Sequence, residues 1–158
     1  FGTDVDQSRV DRAEKQFGLT PIPADQAFAQ ECDFLVPCAL GGVINDETVP
    51  SISARVVCGA ANNQLLEPRH AADLAAKDVL YAPDYIVNAG GVINLSYEIG
   101  RRYSAEAARR KTGQIYHTLN EVFARADRNG TTTLEAADSM AQARIDAVRN
   151  IRMASHTT

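Results

Sequence analysis

Small and amide-bearing residues follow three short apolar runs of the sequence, and such residues can hold a ligand. They occupy positions 38–42, 59–63 and 88–91, and they include the pair Asn62-Asn63 and the single Asn88. Residues with little or no side chain let a ligand approach the backbone, whereas an amide both donates and accepts hydrogen bonds. The combination suits a ligand that carries a carboxamide or an amino-acid head group.

Each of these patterns also has a purely structural explanation. The small residues at 41–42 and 59–61 would serve equally well to pack a helix tightly against a strand. An asparagine within an apolar helix, such as Asn88, must find hydrogen-bond partners and could find them inside the fold. Both interpretations stay open when each residue is taken singly.

The elements that must position these residues alternate along the chain. Compact apolar runs predict strands buried on both faces at 33–36 and 55–59, a further strand at 79–81, and the end of a short strand at 1–5. Helices are predicted between them, so the sequence indicates an α/β fold with a parallel sheet and helices on both faces. In such a doubly wound fold the ligand binds at the carboxyl ends of the strands, where the small and polar residues lie.

Helical spacing and capping residues predict the helices. Asp6 is expected to cap a first helix that carries Val10, Ala13 and Phe17 at helical spacing, and Gly18 ends it. Further helices are expected near 24–30, before Pro50, from Pro68 through Ala76, from 84 to about 98 as a buried helix weakened by Gly90-Gly91, from Ser104 to Asn129-Gly130, and from a capping box of Thr132 and Glu135 onward. The apolar stripes of the last two helices are Ile115, Leu119, Val122, Phe123 and Ala126, and then Ala137, Met140, Ala141, Ile145 and Val148, with a tail from Ser155 that is expected to fray.

Composition and charge exclude several classes of function. The chain has 158 residues, of which 45% are apolar and 23% charged, and this is typical of one globular domain. No apolar run approaches the roughly 20 residues that span a bilayer. The net charge of -4 argues against a nucleic-acid surface, which requires clustered positive charge.

The cysteines and histidines indicate neither a disulfide framework nor a metal site. Cys32, Cys38 and Cys58 are odd in number, form no C-x-x-C pair and lie in or beside apolar runs, so buried thiols in a reducing cytoplasm are expected. The three histidines show no ligand spacing. The sequence therefore predicts a cytoplasmic protein without a metal site.

Asp4 ends the strand predicted at 1–5. A carboxylate at the end of the second strand of a dinucleotide-binding fold accepts hydrogen bonds from the adenosine ribose and repels a 2′-phosphate, so Asp4 favours NAD. The same residue could simply cap a helix or make a turn. Arg9 and Arg12 could instead favour a 2′-phosphate, although on a helix they are expected to be solvated.

Three stretches of the chain resemble one known family in their order and spacing. They are CDFLVPCALGGVINDETVP, VVCGAANNQLLEPRHA and LYAPDYIVNAGGVINLSYE. They resemble the NAD-binding domain of the leucine, valine and phenylalanine dehydrogenases, within the wider family that includes glutamate dehydrogenase. The resemblance runs through the two C-terminal helices, and it implies a Rossmann-type NAD-binding domain over residues 1–100 and helices over residues 101–158 that pack on the same unit.

The resemblance also implies roles for individual residues. Asp4 would hold the adenosine ribose, Asn62 would lie between the nicotinamide ribose and the substrate head group, and Asn88 would bind the nicotinamide carboxamide. The other implied positions are Cys38 and Ala39 along the cofactor groove, Ala60 and Ala61 beneath the dinucleotide, and Val92 and Leu95 in the pocket for the substrate side chain.

Two features of the family are missing from the sequence. The glycine-rich phosphate turn G-x-G-x-x-G would precede Phe1, so the expected sheet is incomplete, lacks its first strand and helix, and has unpaired edges. The family's catalytic lysines lie in an N-terminal domain that is also absent, and Lys15, Lys77 and Lys111 are predicted on ordinary helices away from the strand ends. The expected partners are therefore that missing domain or a complementary chain, in a protein that is a homo-oligomer at full length.

The implied function is oxidative deamination of an L-amino acid to a 2-oxo acid and ammonia, with NAD as the cofactor. Val92, Ile93 and Leu95 form an apolar wall that suits a branched-chain, leucine-like substrate, while an aromatic substrate such as phenylalanine or tryptophan remains the alternative. Because the lysines are absent, the isolated chain is expected to be inactive. A different class of function, a truncated non-catalytic module that binds nucleotide or assembles with an enzyme, also stays open.

Overall fold

A small parallel sheet forms the centre of the fold. The structure is a computed structural model that describes residues 1–99 and 103–154. Its strands are β1 (Phe34–Leu35), β2 (Val56–Val57) and β3 (Leu80–Tyr81), in the order β1-β2-β3 and all parallel. The predicted α/β class with a parallel sheet is confirmed, although each strand is shorter than the apolar run that predicted it.

Seven α-helices lie within the described ranges. They are α1 (Gln7–Phe17), α2 (His70–Ala76), α3 (Asp84–Val87), α4 (Gly90–Glu98), α5 (Ala105–Thr112), α6 (Gln114–Asn129) and α7 (Thr133–Ala154), with single 3₁₀ turns at Ala24–Gln26 and Val49–Ser51. The helix predicted near 24–30 is thus only a short 3₁₀ turn. The tail from Ser155 lies outside the described residues.

One apolar core lies around β2, the central strand. Val57, Ile44 and Leu74 have no exposed surface, and Leu74 packs there from α2. The other buried members of this core are Val49, Ile52, Ala54, Val79 and Tyr81. Burial of such side chains contributes about 1.5–3 kcal/mol each to folding, so this core holds β2 and β3 at fixed positions.

A second core joins the C-terminal helices to the sheet. Val122 and Ala126 of α6 pack with Ala136 and Ala137 of α7, and Ile86 of α3 packs against them. Two hydrogen bonds add to this contact: Thr133 Oγ1 donates to the carbonyl oxygen of Tyr81 over 2.6 Å, and the hydroxyl of Tyr85 donates to Asp138 over 2.7 Å. The C-terminal helices therefore support the segment that follows β3.

The predicted helix caps are confirmed where local chemistry decides them. The Asp6 carboxylate accepts from the backbone N–H of Ser8, and Gly18 ends α1 with φ of 68°. Gly130 ends α6 with φ of 63°, a left-handed conformation that costs glycine little. Thr132 and Glu135 form the expected reciprocal capping box at the start of α7.

The strand predicted at residues 1–5 is not formed, except for a single β-bridge at Gly2. Gly2 pairs in parallel with Pro21, through hydrogen bonds to Thr20 and Ile22. The side chain of Asp4 accepts from the N–H of Asp6 over 2.9 Å, and this local hydrogen bond turns the chain. The ladder therefore stops after one residue.

Two predicted helices are each divided in the structure. The helix expected from 84 to 98 breaks at Asn88 and Ala89, giving α3 and α4, and α4 has no buried residue. The helix capped by Ser104 ends at Thr112, and α6 begins directly after Gly113. Glycine is a poor residue for a helix interior, and in the first case the break falls just before the glycine pair that was expected only to weaken the helix.

Several apolar residues that were expected in the core are exposed. Phe17 is 81% exposed at the end of α1, and Phe34 and Val36 are 61% and 55% exposed beside β1. Phe34 is exposed and Leu35 is only half-buried, so the expectation that β1 is buried on both faces is wrong. β1 is also an edge strand. Its solvent-facing residues belong to a sheet edge that the described residues leave uncovered.

None of the helices in the described parts of the chain is both long and apolar enough to cross a membrane.

Candidate functional site

The carboxyl ends of the three strands meet at one edge of the sheet. Residues 37–40 follow β1, residues 58–64 follow β2, and Ala82, Pro83 and Asp84 follow β3. The N–H of Ala61 donates to the carbonyl oxygen of Pro37 over 3.0 Å, which joins the first two loops. The predicted location of the site, at this edge of a parallel sheet, therefore corresponds to a real cluster of loops.

Asn62 and Asn88 lie side by side at this edge. The amide N–H of Asn88 donates to Asn62 Oδ1 over 2.6 Å, and it also lies 3.4 Å from the carbonyl oxygen of Ala60. Asn88 is half-buried at the end of α3, whereas Asn62 is exposed. Within the described residues this leaves the amide N–H₂ of Asn62 and the carbonyl oxygen of Asn88 free, so the pair offers one donor and one acceptor to a ligand.

A buried polar network lies behind this pair. The backbone N–H of Gln64 donates to Asp84 Oδ2 over 3.0 Å, and the side-chain amide of Gln64 donates to the carbonyl oxygens of Gly59 (2.7 Å) and Ala61 (3.0 Å). The other oxygen of Asp84 accepts from the N–H of Tyr85 over 2.8 Å. The sequence pattern gives no role to Gln64 or Asp84, because their connection is a contact between residues 20 positions apart.

Cys38 and Ala39 line an open groove. A cavity of about 350 Å³ has residues 1–3 and residues 34–40 among its lining, and most of this lining is apolar. Both Cys38 and Ala39 are exposed, as a groove-lining backbone requires. Ala60 is also exposed, but Ala61 is 4% exposed and contributes its backbone rather than its side chain.

Asp4 follows the cavity-lining residue Thr3 but binds within its own segment. Its Oδ1 accepts from the N–H of Asp6, and its Oδ2 lies 3.9 Å from the guanidinium of Arg9. The side chain of Asp4 is 35% exposed and that of Arg9 is 65% exposed, so both remain open to solvent. The turn interpretation of Asp4 is therefore correct for this structure, and a role at the ribose remains a prediction.

Val92 and Leu95 project from α4 into solvent. Val92 is 73% exposed and Leu95 is 54% exposed, while Ile93 is half-buried. α4 begins two residues after Asn88, so this apolar wall lies directly beyond the asparagine pair along the chain. Its exposure overturns the expectation of a buried helix, yet it is compatible with a wall that receives a ligand.

Gly41, Gly42 and Gly59 lie in the loops of the site and are required for different reasons. A Cβ on Gly59 would lie 2.1 Å from the carbonyl oxygen of Pro37, and one on Gly41 would lie 2.6 Å from that of Asn62. Tight packing between loops thus explains both residues, which favours the structural interpretation. Gly42 has φ of 70°, which explains its lack of a side chain by backbone conformation.

The cysteines are free thiols, as expected, but none of them is fully buried. Cys32 and Cys58 are half-buried, and Cys38 is exposed at the groove. Burial raises the pKa of the Cys58 thiol above its usual value, with a smaller contribution from nearby Cys38. The expectation of buried thiols is therefore wrong for Cys38, which lies in a loop beyond the end of β1, and it holds only in part for Cys32 and Cys58.

A cluster of His70, Asp46 and Asp73 was not foreseen from the sequence. Their ligand atoms lie within 4.8 Å of one another. However, His70 Nδ1 accepts the backbone N–H of Glu67 over 3.0 Å, so the neutral ring carries its proton on Nε2, which faces Asp46 over 3.3 Å. Arg69 donates to Asp46 over 2.6 Å, which lowers the pKa of Asp46, and it forms an ion pair with Asp73 over 3.7 Å. The cluster is a hydrogen-bonded salt-bridge network rather than a set of free ligands.

None of the hydrogen bonds among the described residues joins a lysine to the asparagine pair. Lys15 is in α1 and Lys111 is in α5. Lys77 ends α2, and its Nζ donates to the carbonyl oxygens of Val49, Pro50 and Ile52. Lys77 thus closes a loop, and the absence of a catalytic role for it stays a prediction.

Comparison with known proteins gives consistent matches over nearly the whole chain. Residues 3–157 match the family model described as Glutamate/Leucine/Phenylalanine/Valine dehydrogenase. A leucine dehydrogenase of Geobacillus stearothermophilus is 45% identical over 150 residues, which are 95% of this chain and 41% of that protein. A phenylalanine dehydrogenase of Caldalkalibacillus thermarum is 45% identical over 152 residues, which are 92% of this chain and 40% of that protein.

A solved structure shows the same fold. The crystal structure of L-tryptophan dehydrogenase from Nostoc punctiforme superposes with a TM-score of 0.86 at 40% identity, over 91% of this chain and 44% of that chain. The chain thus spans about two fifths of the length of the relatives that it matches.

Proposed function

We propose, from the premise that this chain belongs to the Glutamate/Leucine/Phenylalanine/Valine dehydrogenase family, that it is the cofactor-binding part of an NAD-dependent L-amino-acid dehydrogenase. NAD, when bound, accepts the hydride that leaves the Cα of the amino acid. The resulting imine is then hydrolysed to a 2-oxo acid and ammonia. The protein contributes orientation of the reactants and proton transfer.

The observation that carries this proposal is the contact between Asn62 and Asn88. A nicotinamide carboxamide has one carbonyl acceptor and one N–H₂ donor, and the asparagine pair offers the complementary donor and acceptor. Asn88 would bind the carboxamide, and Asn62 would face both the nicotinamide ribose and the head group of the amino acid. Exposed Ala60, with no side chain beyond Cβ, leaves room for the dinucleotide above the loop that follows β2.

The groove beside β1 would take the rest of the cofactor. Cys38 and Ala39 would line it through their backbone, Ala61 would pass beneath the dinucleotide, and Asp4, beside the cavity residue Thr3, would reach the adenosine ribose. This arrangement amounts to an incomplete Rossmann-type domain over residues 1–100, supported by the helices over residues 101–158. The contacts of α6 and α7 with β3 and α3 support this assignment of the C-terminal helices to the same structural unit.

The substrate would be a branched-chain amino acid such as leucine. The exposed aliphatic residues Val92 and Leu95 form one wall of the proposed pocket, and an aliphatic wall suits an aliphatic side chain. An aromatic substrate is the second candidate, because a phenylalanine dehydrogenase and a tryptophan dehydrogenase match this chain about as well as the leucine enzymes. The opposite wall of the proposed pocket, which faces α4, would determine whether an aliphatic or an aromatic side chain fits.

Residues outside this chain would complete the enzyme. We place the phosphate-binding turn and the catalytic lysines there, because the chain spans about two fifths of the length of its relatives and the Nζ of Lys77 is bound by carbonyl oxygens of another loop. The open edge of β1 and the exposed side chains of α4 would contact this missing domain or a complementary chain, in a cytoplasmic homo-oligomer. The 158-residue segment alone would be inactive. If the full-length protein has no phosphate-binding turn and no catalytic lysines, it would be a non-catalytic nucleotide-binding module.

The test is a substrate panel on the full-length protein. Leucine, valine, phenylalanine and tryptophan would each be assayed with NAD, and the kcat/KM values compared. The proposal expects formation of NADH together with ammonia, with the highest kcat/KM for leucine. A strong preference for phenylalanine or tryptophan would replace the branched-chain assignment. If the protein binds NAD tightly but forms NADH with none of the four amino acids, the non-catalytic module would be favoured.

A further inference from the structure

Two buried residues connect the segments that carry the asparagine pair. Asn62 lies two residues before Gln64, and Asn88 lies four residues after Asp84, where its N–H donates to the Asp84 carbonyl oxygen over 2.8 Å. The hydrogen bond between the Gln64 N–H and Asp84 Oδ2 therefore joins the loop after β2 to the first turn of α3. The contact between the two asparagines joins the same segments at the surface.

The buried connection is the stronger of the two. Gln64 has no exposed surface and Asp84 is 7% exposed, so water competes little for their hydrogen bonds. The Gln64–Asp84 bond is also charge-assisted, because its acceptor is a carboxylate. The bond between the asparagines is neutral, and Asn62 is exposed, so it adds less to the positioning of the segments.

The side chain of Gln64 also shapes the loop itself. Its amide donates to the carbonyl oxygens of Gly59 and Ala61, two residues apart, and so holds the chain between them in its turn. Its Oε1 has no partner among the described residues, so the two donated bonds are the side-chain hydrogen bonds that orient it. Ala60, at the top of this turn, is presented to solvent in consequence.

We infer that Gln64 and Asp84 are positioning residues, which set the separation of Asn62 and Asn88 and thereby the alignment of the nicotinamide. Gln64 is fully buried, so it acts through the turn at residues 59–62 rather than by contact with a ligand. The inference rests on the proposed function, because the asparagine pair matters only if it binds the cofactor.

The test compares Gln64→Met, Asp84→Ala and Asp84→Asn in the full-length protein, with Gln114→Met on the exposed face of α6 as a matched control. The measurements are kcat, the KM for NAD, the KM for the amino acid and the melting temperature. We expect Gln64→Met and Asp84→Ala to raise the KM for NAD about tenfold and to lower kcat by a similar factor, because small misplacements of reacting groups are costly. Asp84→Asn keeps one acceptor oxygen for Gln64 and should lie between Asp84→Ala and the wild type.

A merely structural role predicts a different result. Loss of folded protein would lower the melting temperature and the apparent kcat while both KM values stay unchanged, and that outcome would overturn the inference. Where Gln64→Met fails to fold, Asp84→Asn decides: a wild-type KM for NAD contradicts the inference, and a raised one supports it. If the wild-type protein itself shows no binding of NAD and no turnover, the proposed function fails first, and the inference fails with it.

Discussion

The core around β2 and the surfaces around β1 and α4 contain similar apolar residues in opposite environments. Val57 and Leu74 have no exposed surface, and we call their cluster the closed core. Phe34, Val92 and Leu95 are each more than half exposed, and together with Val36 and Leu40 they form the open apolar surfaces. The closed core explains why the sheet forms, whereas the open apolar surfaces need an explanation from binding, since large exposed apolar patches mark interaction sites.

The most sensitive comparison replaces one leucine from each region. Leu74→Ala should lower the free energy of unfolding by about 3 kcal/mol, because it removes a buried side chain and leaves a cavity. Leu95→Ala should change that free energy by less than about 0.5 kcal/mol but alter the ranking of amino-acid substrates. Denaturant unfolding and the substrate panel measure both effects. An equal loss of stability from the two variants would place Leu95 in a core and remove the contrast.

A matched pair of glycines makes the same comparison through the backbone. Gly59→Ala would bring a methyl group within 2.1 Å of the Pro37 carbonyl oxygen, and it should destabilise the protein by about 3 kcal/mol. Gly91 in α4 has open space around it, so Gly91→Ala should stabilise the protein by about 0.5–1 kcal/mol. Thermal unfolding should show a lower melting temperature for Gly59→Ala and a higher one for Gly91→Ala than for the wild type. A stable Gly59→Ala protein would contradict the tight contact between the loops that follow β1 and β2.

Asp4 tests whether the N-terminal side of the groove belongs to the cofactor site. In the full-length protein Asp4→Ala should raise the KM for NAD about tenfold, which corresponds to about 1.4 kcal/mol, and it should reduce discrimination against NADP. Asp11→Ala on the exposed face of α1 is the control and should leave both unchanged. If the ratio of the kcat/KM values for NAD and NADP stays constant in Asp4→Ala, its carboxylate serves only the turn at Asp6.

The capping box tests the attachment of the C-terminal helices, and its expected effect is the smallest. Thr132→Ala should lower the free energy of unfolding by about 1 kcal/mol. Hydrogen bonds from the backbone and side chain of Thr132 hold the pKa of Glu135 below its usual 4.5. The stabilisation from ionised Glu135 is therefore fully present above pH 4.5 and is lost as the pH falls through the lowered pKa. The stability difference between wild type and Glu135→Gln should shrink over that range, and a difference that does not depend on pH would exclude this role.

The sequence predicts features that depend on neighbours in the chain. The caps at Asp6, Gly18, Gly130 and Thr132 follow from local hydrogen bonds and backbone conformation, and all four are confirmed. The edge of the sheet at which Asn62 and Asn88 meet also follows, because parallel strands align their carboxyl ends. The resemblance to known dehydrogenases is confirmed by the match over residues 3–157.

Features that depend on distant contacts could not be predicted in this way. Burial of Gln64 and Asp84 arises from a contact across 20 residues, and the His70 network depends on Asp46, 24 residues away. Apolar periodicity could not separate the closed core from the open apolar surfaces, because Leu74 and Leu95 look alike in a helical pattern. For the same reason the sequence predicts a buried helix at α4, whereas α4 is exposed in the structure.

Binding of NAD to the full-length protein tests the central claim most directly. Isothermal titration would compare NAD with ADP-ribose, which lacks the nicotinamide, on the wild type and on Asn88→Ala. If the asparagine pair holds the carboxamide, the variant should bind NAD about tenfold more weakly and bind ADP-ribose with unchanged affinity, as expected for the loss of one hydrogen bond. Equal affinity of the two proteins for NAD, or an equal loss for both ligands, would contradict the claim.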